Sequence, residues 1–458
     1  MRVVSGQYKV RIRNLAVAGA QKAPQFRMNL ILLTVILFPV YRLAGPYEGS
    51  QVTVTSNKID WWGSLAPLVP EFFNLEDKRW KWIVFYIVIV NLLVALQAKA
   101  LIIKGKQRTL WSSLILFGFQ YLSSLYVVTN GRDGLSYFFI SASFAIFIIS
   151  FQLTNRVIRL LNFLLSFSLL IIGSLFKITI FPIAILILLL YVFSVSPRKK
   201  KSLLASFSIS LILMFSVLVL NYKLPEKLAL SKSYPEQQVM LYDIANVYCW
   251  SQNKESREFA GRVLDQFRTG TAENRILCAS AAPYGWDLLR LPWIDWSSKE
   301  PIQQILPGDE ESFGYLSNEW GNLIKNFPED WAESKVNHLG QVLFMSNVFY
   351  SPTHNLYPPE NSMDFLLWLI LLPAYVLDSA LLTSLASAIL FSILLTSRKP
   401  NEGLQLLIIH ALCLVTATLT FIANNGRYVF SSVLLSLFFL LSMQRMVQGS
   451  DYSDRFLK

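Results

Sequence analysis

Four ionisable residues stand out because each falls at the edge of, or inside, a long apolar run. Asp60 lies in SNKIDWWGSLAPLVPEFF, residues 56–73, beside Trp61 and Trp62. Asp133 lies in the short polar stretch Asn130-Gly131-Arg132-Asp133-Gly134, and Lys177 interrupts the apolar run from Val157 to Ser194. Arg427 closes Asn424-Asn425-Gly426-Arg427, just before another apolar run. A charge placed in hydrocarbon costs about 3 kcal/mol, so such groups pair, reach water or serve a substrate. Two acids and two bases on one membrane face suit a substrate that carries a phosphate, attacked by a nucleophile that must lose a proton. Each also has a structural reading. Asp133 can pair with Arg132, Lys177 and Arg427 can reach up to headgroups, and Trp61 and Trp62 can anchor their loop at the interface.

The elements that must position these residues can be read from composition. The 458 residues are 53% apolar and 15% charged, where a soluble chain carries about 25% charge. Long apolar runs with charge confined between them predict an all-α polytopic membrane protein of about ten transmembrane helices. The net charge of +12 is accounted for by basic residues gathered in short loops that would face the cytoplasm, so it does not call for nucleic acid. The N-terminal run is read as a signal anchor, with no small-residue cleavage pattern after it.

Taken in order, residues 1–27 form a basic cytoplasmic tail. A seven-helix membrane module occupies 28–222, with an outer loop at 45–79. Its first spans are placed at 28–44, 80–103, 110–129 and 135–152, with Trp80 to Trp82 as interfacial anchors. About 20 residues cross a bilayer, so the run 157–194 is too long for one helix and is divided near Gly173 and Lys177. Arg198-Lys199-Lys200-Lys201 is the strongest inside signal, and span seven runs from about 202 to 222.

Residues 223–363 form the one large polar region. Acids outnumber bases there, which predicts a mostly helical extracytoplasmic domain. Phe259, Val263 and Phe267 share a helical face that Gly270 is placed to end. Pro328 is suited to the first position of another helix, with Trp331, Val336, Leu339 and Val342 on its apolar side. Cys249 and Cys278 fall in this region and are candidates for a disulfide in an oxidising compartment. Residues 364–446 return to the membrane with spans near 376–396, 404–423 and 428–446, and 364–375 either lies at the interface or crosses. Residues 447–458 form a second cytoplasmic tail, so the protein is expected in the plasma (inner) membrane with both termini inside.

No HExxH, GxSxG, P-loop or CxxC pattern occurs. The inside loops are too short for a nucleotide site, so chemistry belongs on the outer face and draws on a substrate already activated. Of the three histidines, His410 is mid-span, His338 lies on a helix of the polar domain, and His354 lies on a loop near the membrane, where a substrate contact is open to it.

The first half of the chain resembles the membrane-embedded glycosyltransferases of the GT-C superfamily, such as the protein O-mannosyltransferases and the aminoarabinose transferases of lipid A. Three stretches carry the resemblance: Asp60-Trp61-Trp62-Gly63-Ser64-Leu65-Ala66, Asp133-Gly134-Leu135-Ser136-Tyr137-Phe138-Phe139, and Lys177-Ile178-Thr179-Ile180-Phe181-Pro182. Arg427-Tyr428 adds a fourth, shorter match. The family's first acidic pair is here Asp60-Trp61, and the prolines usual beside the second and fourth motifs are absent. The resemblance implies transfer of a sugar from a polyprenyl-phosphate donor to a hydroxyl of a glycan, lipid or protein, with inversion. In that scheme Asp60 is the general base. Asp133 holds a divalent metal (Mg or Mn) or orients the donor phosphate. Lys177 and Arg427 neutralise the departing polyprenyl phosphate, and Trp61 and Trp62 either stack on a sugar or anchor the loop. An O-antigen-type polymerase or ligase would rest instead on outer-loop arginines and a histidine. A lipid-linked glycan transporter would show repeated halves and charges deep in several spans.

Overall fold

The computed structural model describes residues 79–101, 110–129, 131–150, 153–177, 185, 200–227, 236–266, 310–345, 434, 435, 437, 438, 441 and 442. Among them the regular elements are all helical: α1 (Arg79–Leu101), α2 (Leu110–Thr129), α3 (Gly131–Ser150), α4 (Arg156–Phe176), α5 (Lys200–Lys227), α6 (Glu236–Trp250), α7 (Lys254–Asp265), α8 (Glu310–Asn326) and α9 (Pro328–Met345). Among the described residues three stretches are long and apolar enough to cross a membrane, Trp80–Leu101, Asp133–Ser150 and Arg156–Phe176, and Leu211–Leu224 adds a shorter apolar stretch within α5. The chain is an all-α, multi-span membrane protein. The expected spans at 28–44, 376–396 and 404–423 lie outside the described residues, as does most of the span at 428–446.

The membrane helices are organised around α3. It packs against α1, α2 and α4, and from Asp133 to Ser150 only Phe139 and Ile146 are more than marginally exposed. A helix apolar on all sides is one that other helices surround. Its neighbours are two-faced. On α1, Trp80, Val84, Val88 and Leu92 are exposed at four-residue spacing, while Tyr86, Val90, Leu93 and Val94 are buried. That spacing puts the exposed set on a single stripe, the side turned to lipid. On α4, Val157, Leu160, Leu161, Leu164 and Leu165 are exposed, and Ser166, Leu170, Gly173 and Ser174 are buried. Trp82 departs from its expected interfacial role. It is buried and stacks on Tyr86 at 6.0 Å between ring centroids, because it sits two residues round the helix from the exposed Trp80.

Small and hydroxylated residues hold these helices close. Without a hydrophobic force between helices in lipid, close packing and interhelical hydrogen bonds supply the attraction. Ser143 and Ser166 pair at 3.1 Å, and Ser166 also donates to the Ser143 carbonyl at 2.9 Å. Gln97 donates to Ser141 at 3.1 Å, Gln120 to the Val94 carbonyl at 3.1 Å, and Ser123 bonds Tyr137 at 2.8 Å. The C-terminal segment joins the same body. Leu434, Leu435, Phe438 and Ser442 are buried on one helical face, and Phe438 stacks on Phe119.

The loop expected at 130–134 is shorter than the residues suggested. α2 runs to Thr129 and α3 begins at Gly131, so Gly131, Arg132, Asp133 and Gly134 are helical. A Cβ on Gly134 would come to 2.8 Å from the Val127 Cα and meet the Val127 carbonyl. Glycine here is a packing residue that lets two backbones touch, and it does not mark a turn.

Helices α6 to α9 form a second, water-type core. Leu241, Ile244, Ala245, Val263, Leu264, Leu316 and Leu323 are buried together, with Phe259, Phe327 and Trp331 packed against them. α9 opens on Pro328 as expected, where the missing N–H costs nothing. Of its expected apolar side, Trp331 packs on the core but Val336 is exposed while Ser334 and Lys335 are buried, and the side chains of Leu339 and Val342 lie outside those described. α7 ends at Asp265, before Phe267 and Gly270, which lie outside the described residues. The α6–α7 and α8–α9 junctions are tied together. Asp330 accepts from Ser251 and, at 3.2 Å, from Asn253, whose own side chain caps α7 by accepting the Glu255 N–H at 3.0 Å.

Candidate functional site

Of the four ionisable residues singled out in the sequence, the structure brings together Asp133 and Lys177. Asp60, Trp61, Trp62, His354, Cys278 and Arg427 lie outside the described residues, and His338 lies on α9. The Asp133 carboxylate is 2.6 Å from the Lys177 ammonium, and both side chains are buried. Lys177 therefore does not extend to headgroups. Its partner lies on the neighbouring helix.

Local sequence explains why these two meet. Asp133 stands in the first turn of α3, where the unpaired N–H groups of a helix favour a negative charge. Lys177 comes just after the last residue of α4 and caps it in extended conformation, where converging carbonyls favour a positive one. α4 stops there because the next residues, Ile178-Thr179-Ile180 before Pro182, are β-branched and lead into a proline. Antiparallel packing of α3 and α4 then sets the N-terminus of one beside the C-terminus of the other.

A second rung lies one turn further in. Ser136 donates to the Gly173 carbonyl at 2.7 Å, and the Lys177 N–H reaches the same carbonyl at 3.3 Å. Asp133 and Ser136 are three apart on α3, and Gly173 and Lys177 are four apart on α4, so each pair shares a face. Gly173 makes the approach possible, because a Cβ there would lie 2.7 Å from Ile140 Cγ1 and 3.1 Å from Phe139 Cβ. Phe139 and Phe176 stack at 5.3 Å between centroids and cover the same end. The result is a buried ion pair on a rigid two-helix clamp, at the end of the membrane unit where α3 begins and α4 ends.

Among the described residues no group of three or more His, Cys, Asp and Glu side chains converges, and an ammonium sits against the Asp133 carboxylate. The contact that the geometry shows for the Asp133 carboxylate is the one with the Lys177 ammonium.

A second buried acid, Asp243 in α6, was not anticipated from the sequence. Its Oδ2 accepts the indole N–H of Trp320 and of Trp331, each at 2.9 Å, and its Oδ1 lies 2.6 Å from the Lys335 ammonium. Lys335 also lies 5.9 Å from the Trp331 ring centre, an added cation–π contact. The partners are 77 and 88 residues away in sequence for the two indoles. The visible hint was the four-residue spacing of Trp331 and Lys335, which sets them on one helical face.

Cys249, in the last turn of α6, is disulfide-bonded. Comparison of the chain with protein-family models, with curated proteins and with solved structures finds no match.

Proposed function

We propose that this chain is a GT-C-type glycosyltransferase of the plasma membrane, with about ten spans and both termini cytoplasmic. It would move a sugar from a polyprenyl-phosphate donor to an acceptor hydroxyl on the extracytoplasmic face. The observation that carries the reading is the buried Asp133–Lys177 pair at the end of the α3–α4 clamp. It holds a buried, paired ammonium where α3 begins and α4 ends, and in this reading Lys177 exchanges the Asp133 carboxylate for the phosphate of the lipid-borne donor. The chemistry asks for this, because negative charge grows on the phosphate oxygens as the sugar–phosphate bond breaks, and a preplaced ammonium stabilises it.

In this reading Asp60 takes the proton of the acceptor hydroxyl as that oxygen attacks the anomeric carbon. The sugar–phosphate bond breaks in the same displacement, and the polyprenyl phosphate leaves with its charge met by Lys177 and Arg427. Asp133 positions Lys177. Residues 223–363 cap this face and help select the acceptor, and Trp61 and Trp62 anchor the catalytic loop.

The test is Asp60→Asn in membranes supplied with radiolabelled polyprenyl-phosphate sugar. Transfer is expected to fall at least about 100-fold, the usual worth of a general base, at normal expression. Undiminished turnover would remove Asp60 from the mechanism.

A further inference from the structure

We infer that Cys249 is bonded to Cys278, that the helical unit containing α6 to α9 faces an oxidising compartment, and that it shares this membrane face with Asp133 and Lys177. The inference deepens the topology of the proposed function but does not depend on sugar transfer. A failed transfer assay leaves it standing.

Cys249 is disulfide-bonded and packs against the core of α6 to α9. The chain has two other cysteines, Cys278 and Cys413. Cys413 lies in the apolar run from Leu404 to Ile422, the composition of a membrane span, whereas Cys278 lies in the same polar region as Cys249. Cys278 is the partner that chemistry allows. Forming the bond by thiol–disulfide exchange reduces the disulfide of an oxidising partner protein, which takes up the two electrons and two protons as a pair of thiols. Such oxidants act outside the cytoplasm, and cytoplasmic thiols are kept reduced.

The charges flanking α5 give the orientation independently of redox chemistry. α5 starts at Lys200, within Arg198-Lys199-Lys200-Lys201, and ends at Lys227, shortly before α6. Its 28 residues rise about 42 Å at 1.5 Å each, more than the roughly 30 Å of a bilayer core. The basic cluster thus lies at the opposite end of a crossing from α6, and positive clusters stay in the cytoplasm. Bond and basic cluster assign the same orientation.

The ion pair falls on the same face. α4 ends at Phe176, with Lys177 as its cap. The residues from Ile178 to Ser196 are almost wholly apolar and about as many as one crossing needs. A crossing between Lys177 and the basic cluster puts Lys177 on the side opposite that cluster, which is the side of α6 to α9. Asp133, at 2.6 Å from Lys177, is there too.

The experiment uses the full-length protein in intact cells, a membrane-impermeant maleimide and a membrane-impermeant phosphine reductant. Wild-type protein is expected to stay unlabelled until reduced, and then to label without permeabilisation. Cys249→Ser is expected to expose one thiol at Cys278 with no reductant. If that variant does not accumulate, non-reducing peptide mapping of the wild type must find the peptides carrying Cys249 and Cys278 linked. Linkage to Cys413, or labelling that requires permeabilisation, overturns the inference. Asn130→Cys in the otherwise wild-type chain, between α2 and α3, tests the shared face. Labelling in intact cells supports it, and labelling only after permeabilisation refutes it.

Discussion

Among the described residues are two buried aspartate–lysine pairs of equal length, and they are built differently. Asp243 and Lys335 meet in the middle of a water-type core, with Asp243 also accepting two indole N–H groups. Two helices, α8 and α9, bring groups to that single carboxylate on α6, so it is a packing node. Asp133 and Lys177 meet at the ends of two antiparallel membrane helices. There the backbone termini favour both charges, and the pair lies at the edge of the helical body. A buried pair is weak evidence for stability, because desolvation offsets most of the attraction. What separates the two is what surrounds them. The first is enclosed by tryptophans from other helices, and the second stands where a helix begins.

The largest effect is expected at the node. Asp243→Ala leaves Lys335 buried without its counter-charge and should cost about 3–5 kcal/mol, read as a fall in Tm and early proteolysis of the 236–345 region in detergent. A stable Asp243→Ala protein would put Asp243 on the same footing as a surface acid. The membrane pair sharpens the contrast. The double variant Asp133→Asn/Lys177→Met is expected to recover most of the stability that either single change loses, as neutral isosteres of buried pairs often do, while sugar transfer stays lost. Recovery of both would make this pair, too, a packing feature only.

Smaller effects probe the clamp that holds the pair. Gly173→Ala forces a Cβ against Ile140 and Phe139 and should cost about 1–3 kcal/mol, the usual range for overpacking, visible as a lower Tm in detergent. Ser136→Ala removes one hydrogen bond to the Gly173 carbonyl. Its expected cost is about 0.6 kcal/mol, the average for such bonds between membrane helices, measured by the same unfolding assay. A loss several times larger would mean that Ser136 positions Lys177 as well as bonding the backbone.

The two pairs also differ in how far the sequence revealed them. Lys177 was legible because length alone required the run 157–194 to break, and Gly173 and Lys177 near its middle marked the place. Its closeness to Asp133 could be expected from counting crossings. Asp243 was not legible. It is a lone acid on a helix with no charge partner three or four residues away, and every group that satisfies it arrives from far along the chain. The helix ends misled in a related way. Gly131 and Gly134 have the composition of a turn, yet Gly134 is needed for contact with Val127. Trp80 and Trp82 share a type and a neighbourhood, but about 200° of helical rotation, two residues at about 100° each, sends one to lipid and the other into the core. Composition and spacing fix which segments cross. Which residue of a doublet turns inward depends on neighbours the segment itself does not contain.

The single residue between α2 and α3 has a consequence for assembly. With only Asn130 between them, and Gly134 seated on the Val127 backbone, the two helices have the connection of a helical hairpin and are suited to enter the bilayer together. Asp133 then arrives at the membrane edge before Lys177 has been synthesised, since α4 comes later in the chain. For that interval during biogenesis the carboxylate waits without its ammonium, and the docking of α4 neutralises it.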